Sequence, residues 1–592
     1  MGPPEKLFYN GSLKTKSFEI AEAQNNFFVE KINAIKSSMP RQVSDPLKIL
    51  KHVMRNRKSE FRLKHVHPDQ VEAIIAGLKN SNSFGLDEID TYVIKLVRRE
   101  ILPALTHIIN LSISTKTFPS SWKKVKIIPL HKKEDRLNPK NYRPVALVPV
   151  MSKILEKVIF NPMMVYLEDN ELLNSSHHAY RAHHNTTTAL IEMYDGWVNS
   201  MESGKQTGIC FLDLSAAFDV VNHSLLLEKL ALYGFDYGMI NWLHSYLSSR
   251  SQCVLINGCL SSSLPVNTGV PQGSILGPLL YTLFTNELPE IVKQSVNVVK
   301  HSSICCYADD TTLSCTAGNK TELSEELSVQ YKAVTEFMSD NGLKVNDDKT
   351  QLLIIGKKAR KEAAENVKVQ IRTVSSTIDP STSGKLLGCY VHESLKWNFH
   401  LLESDLSLKR LLGSRLAGFK KIRGLISFKT RKMIAEGLFM SKFSYMISLW
   451  GGCARSVIKE LQITQNKILR IVTGCDWSTP TAELLSQCGW LSINQLGVYH
   501  SVLIVYKAKR NKLPKYVHDM HHVENFSRET RQSEDGQIKL RGFPRMDLSK
   551  YSFKWRAAEY FNQIPKLIRE TEDLNCFKQE VKAWIRDNVA IY

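Results

Sequence analysis

The chain has 592 residues, too many for one hydrophobic core, so several compact units are expected. Its hydrophobic fraction of 43% is ordinary, but 78 Lys and Arg against 58 Asp and Glu leave a net charge of +20; this points to a polyanionic partner, most simply nucleic acid. No apolar stretch is long enough to span a bilayer, which argues against a membrane protein.

The N-terminus lacks the apolar run of a signal peptide, so the sequon Asn10-Gly11-Ser12 is expected to be irrelevant. The 11 cysteines are scattered without Cys-x-x-Cys pairs and read as reduced, mostly buried thiols of an intracellular protein. Residues 1 to about 60 read as basic and helical, with apolar residues at helix-like intervals from Phe18 to Ile35; a connecting segment is the expected role. Pro68 to Leu78 reads as a capped helix stopped at Lys79-Asn80, Gly85 to Ile89 as a turn, and the following stretch as a helix to about Ser114. A basic stretch follows: Lys123, Lys124, Lys126, Lys132, Lys133, Arg136, Lys140 and Arg143, against Glu134 and Asp135. Within it Val125 to Leu130 alternates like a strand. Two strands joined by a basic loop would hold a triphosphate or a template backbone; a solvated, charged hairpin is the equal alternative. Ser152 to Glu168 reads as a helix. His177, His178, His183 and His184 have no Cys or acidic partner at a ligand-like spacing, so no metal site is expected there. Asn185 caps a helix through about Ser200.

Thr207 to Ser215 is an apolar strand pattern closed by one acid. Alternation puts Ile209, Phe211 and Asp213 on one face, with Asp213 where the sheet opens to solvent. Asp219 is read as capping or hydrogen-bonding rather than as a metal ligand. Ser224 to Tyr233 and Ile240 to Leu247 read as helices, and Gln252 to Gly258 as a strand entering a turn. Gly269 to Leu280 holds three glycines and two prolines, a sharp bend before an apolar helix from Leu279 to Asn286; glycine there permits close backbone approach to a ligand. Then Ile304 to Tyr307 and Thr311 to Leu313 flank Ala308, Asp309 and Asp310 as strand, tight turn and strand. Adjacent carboxylates repel one another, which costs stability unless a cation sits there; taken alone, the four residues Tyr307 to Asp310 read first as a polar hairpin tip. If the strand ending at Asp213 lies beside this hairpin, three carboxylates converge. Such a set suits two hard divalent cations roughly 4 Å apart, an arrangement that serves phosphoryl transfer.

These stretches, in this order and at these separations, resemble the reverse transcriptases of non-LTR (LINE-type) retrotransposons. The motifs are "GLDEID", "FPSSWKKVKIIPLHKKED", "NYRPVALVPVMSKILEKVI", "FLDLSAAFDVVNH", "GVPQGSILGPLL", "YADD", "NGLKVNDDKTQLLIIG" and "KLLGCYVHESLKWNFHL". The resemblance covers about residues 65 to 480. Group II intron maturases are similar but usually have a "GG-I-SPLL" type of sequence where this chain has "GSILGPLL". The resemblance implies an α+β, right-hand polymerase: fingers over 61–205, palm over 206–400, helical thumb over 401–454. Helical segments flank it at 1–60 and 455–592. It implies that Asp213, Asp309 and Asp310 hold two Mg2+ ions, with Mn2+ as a substitute. Phe218 falls where the family places a gate against the ribose 2′-OH. Gln272 matches the glutamine that contacts the incoming nucleotide, Lys349 the lysine that protonates pyrophosphate, and Arg143 an arginine on the triphosphate. The implied partners are an RNA template, a DNA primer or nicked target DNA, and dNTPs; oligomeric state stays open. "HAYRAHHNTTTAL" departs from the family's "FGFRxGxST" type and leaves template contacts around Arg181 open.

Downstream, Leu408, Leu411, Leu412, Leu416, Phe419 and Ile422 recur at helical intervals, with Lys409, Arg410, Arg415, Lys420, Lys421 and Arg423 on the other faces. Ser407 to Lys432 carries nine basic residues, including Lys429, Arg431 and Lys432, and no acid. Such a helix pair is expected to grip a phosphate backbone through counterion release. Lys357 to Lys361 is a nuclear import signal or, more simply, a charged helix start; a ribonucleoprotein in nucleus and cytoplasm is the implied location. Trp477, Trp490, Trp555 and Trp584 are read as core rather than base-stacking platforms. The expected function is RNA-directed DNA synthesis. The competing readings are a catalytically silent nucleic-acid-binding protein derived from a retroelement and an intron maturase-like protein.

Overall fold

The computed structural model describes residues 2–592 apart from 40–41, 56–58, 133, 296–301, 357–368, 374–375, 522–536, 539 and 541–543. Lys133 and the candidate import signal at 357–361 therefore lie outside the described residues. Contacts divide the chain into two compact units. One comprises Met1–Tyr180, Leu212–Val296 and Val329–Lys349, the other Arg181–Phe211, Asn297–Ser328 and Thr350–Tyr592. Both mix helices with sheet, as the expected α+β class requires.

The first unit begins with a correction. Asn10-Gly11 is the turn of a hairpin between β1 (Leu7–Tyr9) and β2 (Ser12–Lys14), with φ of 48° and 74°. Positive φ at both turn residues is what makes Asn-Gly a favoured hairpin pair. The helix Ser17–Ser37 then buries Ile20, Ala21, Ala23 and Phe28 in one cluster with Val125 and Ile127 of β3 (Lys124–His131). Tyr142 of β4 (Tyr142–Leu147) and Val254 and Ile256 of a further strand complete that cluster. The N-terminal segment is thus core, not connection. Its polar side is also fixed, since Asn25 Nδ2 donates to Ser261 Oγ at 3.0 Å and to the Ser262 carbonyl at 2.9 Å. In the sheet, β3 pairs antiparallel with β4 and parallel with β6 (Arg250–Ile256), which also pairs with β7 (Cys259–Leu260) and β8 (Leu264–Val266).

Pro68–Gly77 and Val150–Asp169 are helices as expected. The helix expected up to Ser114 is two, Thr91–Leu96 and Arg98–Thr115, the first capped by Asp90 accepting from the Val93 amide. His223–Leu232 ends before Gly234, and Tyr237–Leu247 starts three residues early because Asp236 caps it, accepting from the Met239 amide at 2.8 Å. Leu276–Phe284 likewise begins before the expected Leu279.

The second unit holds a five-stranded sheet. Its order is the short strand Pro380–Ser381, β11 (Gln351–Ile355), β5 (Gln206–Leu212), β10 (Asp310–Ala317) and β9 (Ser302–Tyr307). β5 is central and buried at every residue, the pattern of a strand covered on both faces. Thr207 Oγ1, near its start, lies 2.8 Å from Thr316 Oγ1, near the end of β10; the two strands therefore run antiparallel, and β5 ends alongside the start of β10. Helix Thr186–Glu202, boxed by Asn185 and Thr188, covers the sheet, its Trp197 donating to Ser314 at 3.0 Å. A cluster from Ala189 to Ile585 joins this sheet to the C-terminal helices. Trp490 is buried there, whereas Trp477 is 79% exposed in the turn between Arg455–Thr473 and Thr481–Cys488, against the expectation of core. Trp555 and Trp584 are half-buried. All 11 cysteines are free, and Cys305 and Cys306 are core as expected. Among the described residues no helix is long and apolar enough to cross a membrane.

Candidate active site

In the β9–β10 hairpin Tyr307 pairs with Asp310, so Ala308 and Asp309 form a two-residue turn. Asp309 stands at the tip and Asp310 opens β10, both exposed. Ala308 has φ of 59°, a region an L-residue enters at a cost of roughly 1–2 kcal/mol. Ala308→Gly is expected to raise stability by about 0.5–1 kcal/mol and Ala308→Val to lower it, because the strain sits in the Cβ. Urea midpoints of the two variants check this; a lower midpoint for Ala308→Gly would contradict the strain account.

Asp213 follows β5 directly. The strand ends at Leu212, and Asp213 is exposed just beyond it, ahead of the antiparallel bridge between Leu214 and Val345. Its backbone is held by the return segment: the Asn346 amide donates to the Asp213 carbonyl at 2.8 Å and the Ser215 amide to the Lys344 carbonyl at 2.9 Å. The same pairing sets Lys349 Nζ 3.7 Å from Asp213 Oδ2. With both side chains substantially exposed, this pair adds little stability; it places an ammonium donor at the carboxylate.

The nucleotide-binding candidates are fixed by a zipper between two segments. The Val270 amide donates to the Phe218 carbonyl at 2.8 Å, the Gly269 amide to the Val221 carbonyl at 2.9 Å, and His223 Nε2 lies 2.7 Å from the Gly269 carbonyl. Burial, the leading effect, holds the His223 pKa below its usual value; a neutral ring with Nε2–H donating fits that bond. Gly269 has φ of 81°, and a Cβ there would lie 2.5 Å from the Asp219 carbonyl oxygen. The Phe218 ring stacks on Tyr281 with centroids 4.4 Å apart. Gln272 Nε2 donates to Asp219 Oδ1 at 2.7 Å, so the hydrogen-bonding reading of Asp219 holds. The loop's far end is anchored by Glu156, fully buried, whose Oε2 accepts from the amides of Ile275 at 2.7 Å and Leu276 at 3.1 Å and from the Tyr246 hydroxyl at 3.2 Å. Asp219, Gln272, Phe28, Ile32, Pro144 and Ala146 border a cavity of about 330 Å³. Arg143, on β4 opposite Leu130, is exposed.

The family described as reverse transcriptase (RNA-dependent DNA polymerase) matches residues 130–391, the span that contains Arg143, Asp213, Phe218, Gln272, Asp309, Asp310 and Lys349. Residues 130–391 are thus similar to reverse transcriptase domains. It is 26% identical over 414 residues to the probable RNA-directed DNA polymerase from transposon X-element of Drosophila melanogaster, covering 69% of this chain and 44% of that one. It is 25% identical over 417 residues to the RNA-directed DNA polymerase from mobile element jockey of the same organism, covering 70% and 45%. The chain thus spans less than half the length of these relatives. The expected kinship with non-LTR retrotransposon enzymes is borne out. Among solved structures, the RNA-dependent RNA polymerase of a human picorbirnavirus aligns over 78% of this chain and 79% of that one, at 13% identity and a TM-score of 0.39.

Reverse transcriptases use divalent metal ions. Among the described residues no three His, Cys, Asp or Glu side chains are gathered tightly enough to hold a metal by themselves. The donor chemistry nonetheless fits, because Asp309, Asp310 and Asp213 offer exposed carboxylate oxygens, which suit hard cations rather than zinc.

The charge arguments need correcting. In the basic stretch ahead of β4, Lys123 and Lys126 are buried, and burial holds both ammonium groups below their usual pKa. In the helix pair Leu408–Lys421 and Phe428–Ala435, Lys409 pairs with Glu460 at 2.8 Å and Arg410 with Asp405. Arg415 donates to the Leu438 carbonyl at 2.8 Å, Arg423 to the Gly474 carbonyl at 2.9 Å, and Arg431 to three carbonyls. Lys420, Lys421 and Lys429 remain exposed. His177 Nε2 sits 3.3 Å from the Thr285 carbonyl, within residues 130–391. Sequence reasoning missed Glu156 and Tyr281. The only available signal for Tyr281 was an aromatic in the apolar run after the glycine-rich bend.

Proposed function

We propose that the chain is an RNA-directed DNA polymerase of a non-LTR retrotransposon, extending a DNA primer on an RNA template with dNTPs. The observation that carries this reading is the match of residues 130–391 to the reverse transcriptase family. On the resemblance of their motifs to that family, Asp213, Asp309 and Asp310 are assigned to two Mg2+ ions, or Mn2+. Bound there, the cations would supply charge neutralisation at the transferring phosphoryl group and a more acidic primer hydroxyl.

The chain's own residues then have distinct tasks. The primer 3′-hydroxyl loses its proton to solvent and its oxygen attacks the α-phosphorus, the bond from that phosphorus to the α,β-bridging oxygen breaks, and Lys349 gives a proton to that oxygen of the departing pyrophosphate. Arg143 meets the triphosphate, Gln272 the sugar, and Phe218, braced on Tyr281, bars a 2′-OH. Lys420, Lys421 and the exposed cations beside them meet nucleic-acid phosphates in a thumb, within the right-hand arrangement of fingers, palm and thumb. Much of the work is positioning and charge stabilisation. The test is primer extension on a heteropolymeric RNA template with dNTPs, with Mg2+, Mn2+ or a chelator. Template-dependent extension that the chelator stops is expected. No extension by a folded chain that still binds RNA tightly and salt-sensitively would replace the polymerase with the silent binding protein.

A further inference from the structure

We propose that Trp477 is a stacking platform for a base of unpaired RNA, held open beside a cationic turn that takes the neighbouring phosphates. The proposal borrows from the reading above only the choice of RNA over DNA. Binding is read without dNTPs, so the two can fail separately. Trp477 is 79% exposed, although an indole contributes most to stability when it is buried. It sits on the short turn between the helices Arg455–Thr473 and Thr481–Cys488. Leu425, at 81%, and Phe428, at 41%, are exposed where the helix Leu408–Lys421 gives way to Phe428–Ala435.

The two turns are built against each other. Arg423 Nη2 donates to the Gly474 carbonyl at 2.9 Å. Arg431 Nε donates to the Val472 carbonyl at 2.9 Å, and its Nη1 donates to the carbonyls of Arg423 at 2.9 Å and Ile426 at 3.2 Å. Arg470 Nη2 donates to the Trp477 carbonyl at 2.8 Å, and Asp476 Oδ1 accepts from the Trp477 amide at 2.6 Å. Gly474 closes the helix ahead of the turn at φ 82°, a left-handed conformation that glycine adopts freely. Three guanidinium groups therefore fix the backbone on which the indole stands. The ring stays in water on a preorganised support, so a stacked base would order little more than itself.

A partner for this surface must match an apolar ring face and a surplus of cations. Ser407 to Ala435 holds no acid. Lys420, Lys421 and Lys429 are exposed there, and Lys467 is exposed on the helix that leads into the Trp477 turn. Asp476 is the one acid from Gly474 to Pro480, and it is engaged by the Trp477 amide. An acidic protein face would meet the cations but offers the indole no repeating flat partner. Unpaired nucleic acid supplies both in one repeat, a base face and a phosphate. A duplex does not, because its bases stack on each other and show only their edges in the grooves. Of the two nucleic acids RNA is chosen, since the family matched by residues 130–391 is RNA-dependent.

The test uses the full chain and a labelled, unstructured RNA of about 12 nucleotides. Trp477→Ala is expected to weaken RNA binding about tenfold, the worth of one stacked base. Trp477→Phe is expected to keep most of the affinity, because phenylalanine also stacks, and to lose part of the tryptophan fluorescence quench that RNA causes in the wild type. The weakening in Trp477→Ala should be the same at every salt concentration, since stacking releases no counterions, whereas Lys420→Ala combined with Lys421→Ala should flatten the salt dependence. Affinity for a blunt RNA–DNA duplex is expected to be unchanged in Trp477→Ala. Wild-type RNA affinity in Trp477→Ala, or an equal loss on the duplex, would overturn the proposal and leave the patch to a protein partner. A loss seen with a DNA oligonucleotide of the same sequence but not with the RNA overturns it too. Should Trp477→Ala lose its cooperative melting transition, the quench decides: RNA that quenches the wild type and Trp477→Phe alike overturns the proposal. A chain that shows the stacking but extends no primer removes the polymerase reading alone.

Discussion

Replacing Asp309 by alanine, or Asp213 by asparagine, is expected to lower DNA synthesis by on the order of a thousandfold or more while leaving the fold intact. On the proposed reading the loss is large because each variant removes one of the carboxylates assigned to the cations at the transferring phosphoryl group, where preorganised charge does the most work. The fold survives because neither side chain is buried, and the Asp213 contact with Lys349 is a solvent-exposed ion pair. Both carboxylates are exposed, and Asp309 stands beside the like charge of Asp310. Surface changes of this kind stay within about 0.5 kcal/mol. Primer extension and thermal melting of each variant check the pair of statements together. Residual synthesis near the wild-type rate would remove these residues from the site. Loss of synthesis together with loss of the melting transition would instead show that they are needed for folding.

The second large effect belongs to Glu156. Glu156→Ala is expected to destabilise the first unit by about 3–5 kcal/mol, because it strands buried donors rather than merely deleting a contact. Ile275 N, Leu276 N, the Tyr246 hydroxyl and the Ser152 hydroxyl would all lose their acceptor. For a unit of this size the melting temperature should fall by about 5–10 °C or more. Glu156→Gln should lie between, since its amide oxygen still accepts but its NH2 faces donors. The loop that Glu156 anchors carries Gln272, so a raised KM for dNTP is expected before the fold is lost. An unchanged melting temperature in Glu156→Ala would refute the anchoring role.

The parts of the molecule that were legible in sequence are those whose physics is local. The hairpin carrying Asp309 and Asp310 was readable because its strands pair with each other across a two-residue turn. Asn185 announced its helix by capping it. Reading failed where the deciding partner is remote. Glu156 lies on an ordinary-looking helix, and the amide it caps is 119 residues further on. The apolar spacing of Phe18 to Ile35 was visible, but not the strands it would cover, and Asn10-Gly11 was set aside as an irrelevant sequon without its hairpin turn being read. Counting charges told how many cations the helix pair holds, not that Arg423 and Arg431 turn theirs onto backbone carbonyls. Trp477 was misassigned because composition cannot say that a turn, not a helix face, carries it.

The N-terminal helix has a consequence for what is inherited as a piece. The recognisable family span starts at residue 130, yet β3 starts at Lys124 and is the strand on which both β4 and β6 are threaded. Leu7, Ile20 and Phe28 fill the same apolar layer. A cut at the span's edge would take away the sheet's middle strand and its covering helix, and would leave Val254 and Ile256 facing water. The portion that the family description covers is therefore smaller than the portion that must stay together for the first unit to fold. A chain shortened to that span would keep every candidate site residue and lose the packing that covers the sheet.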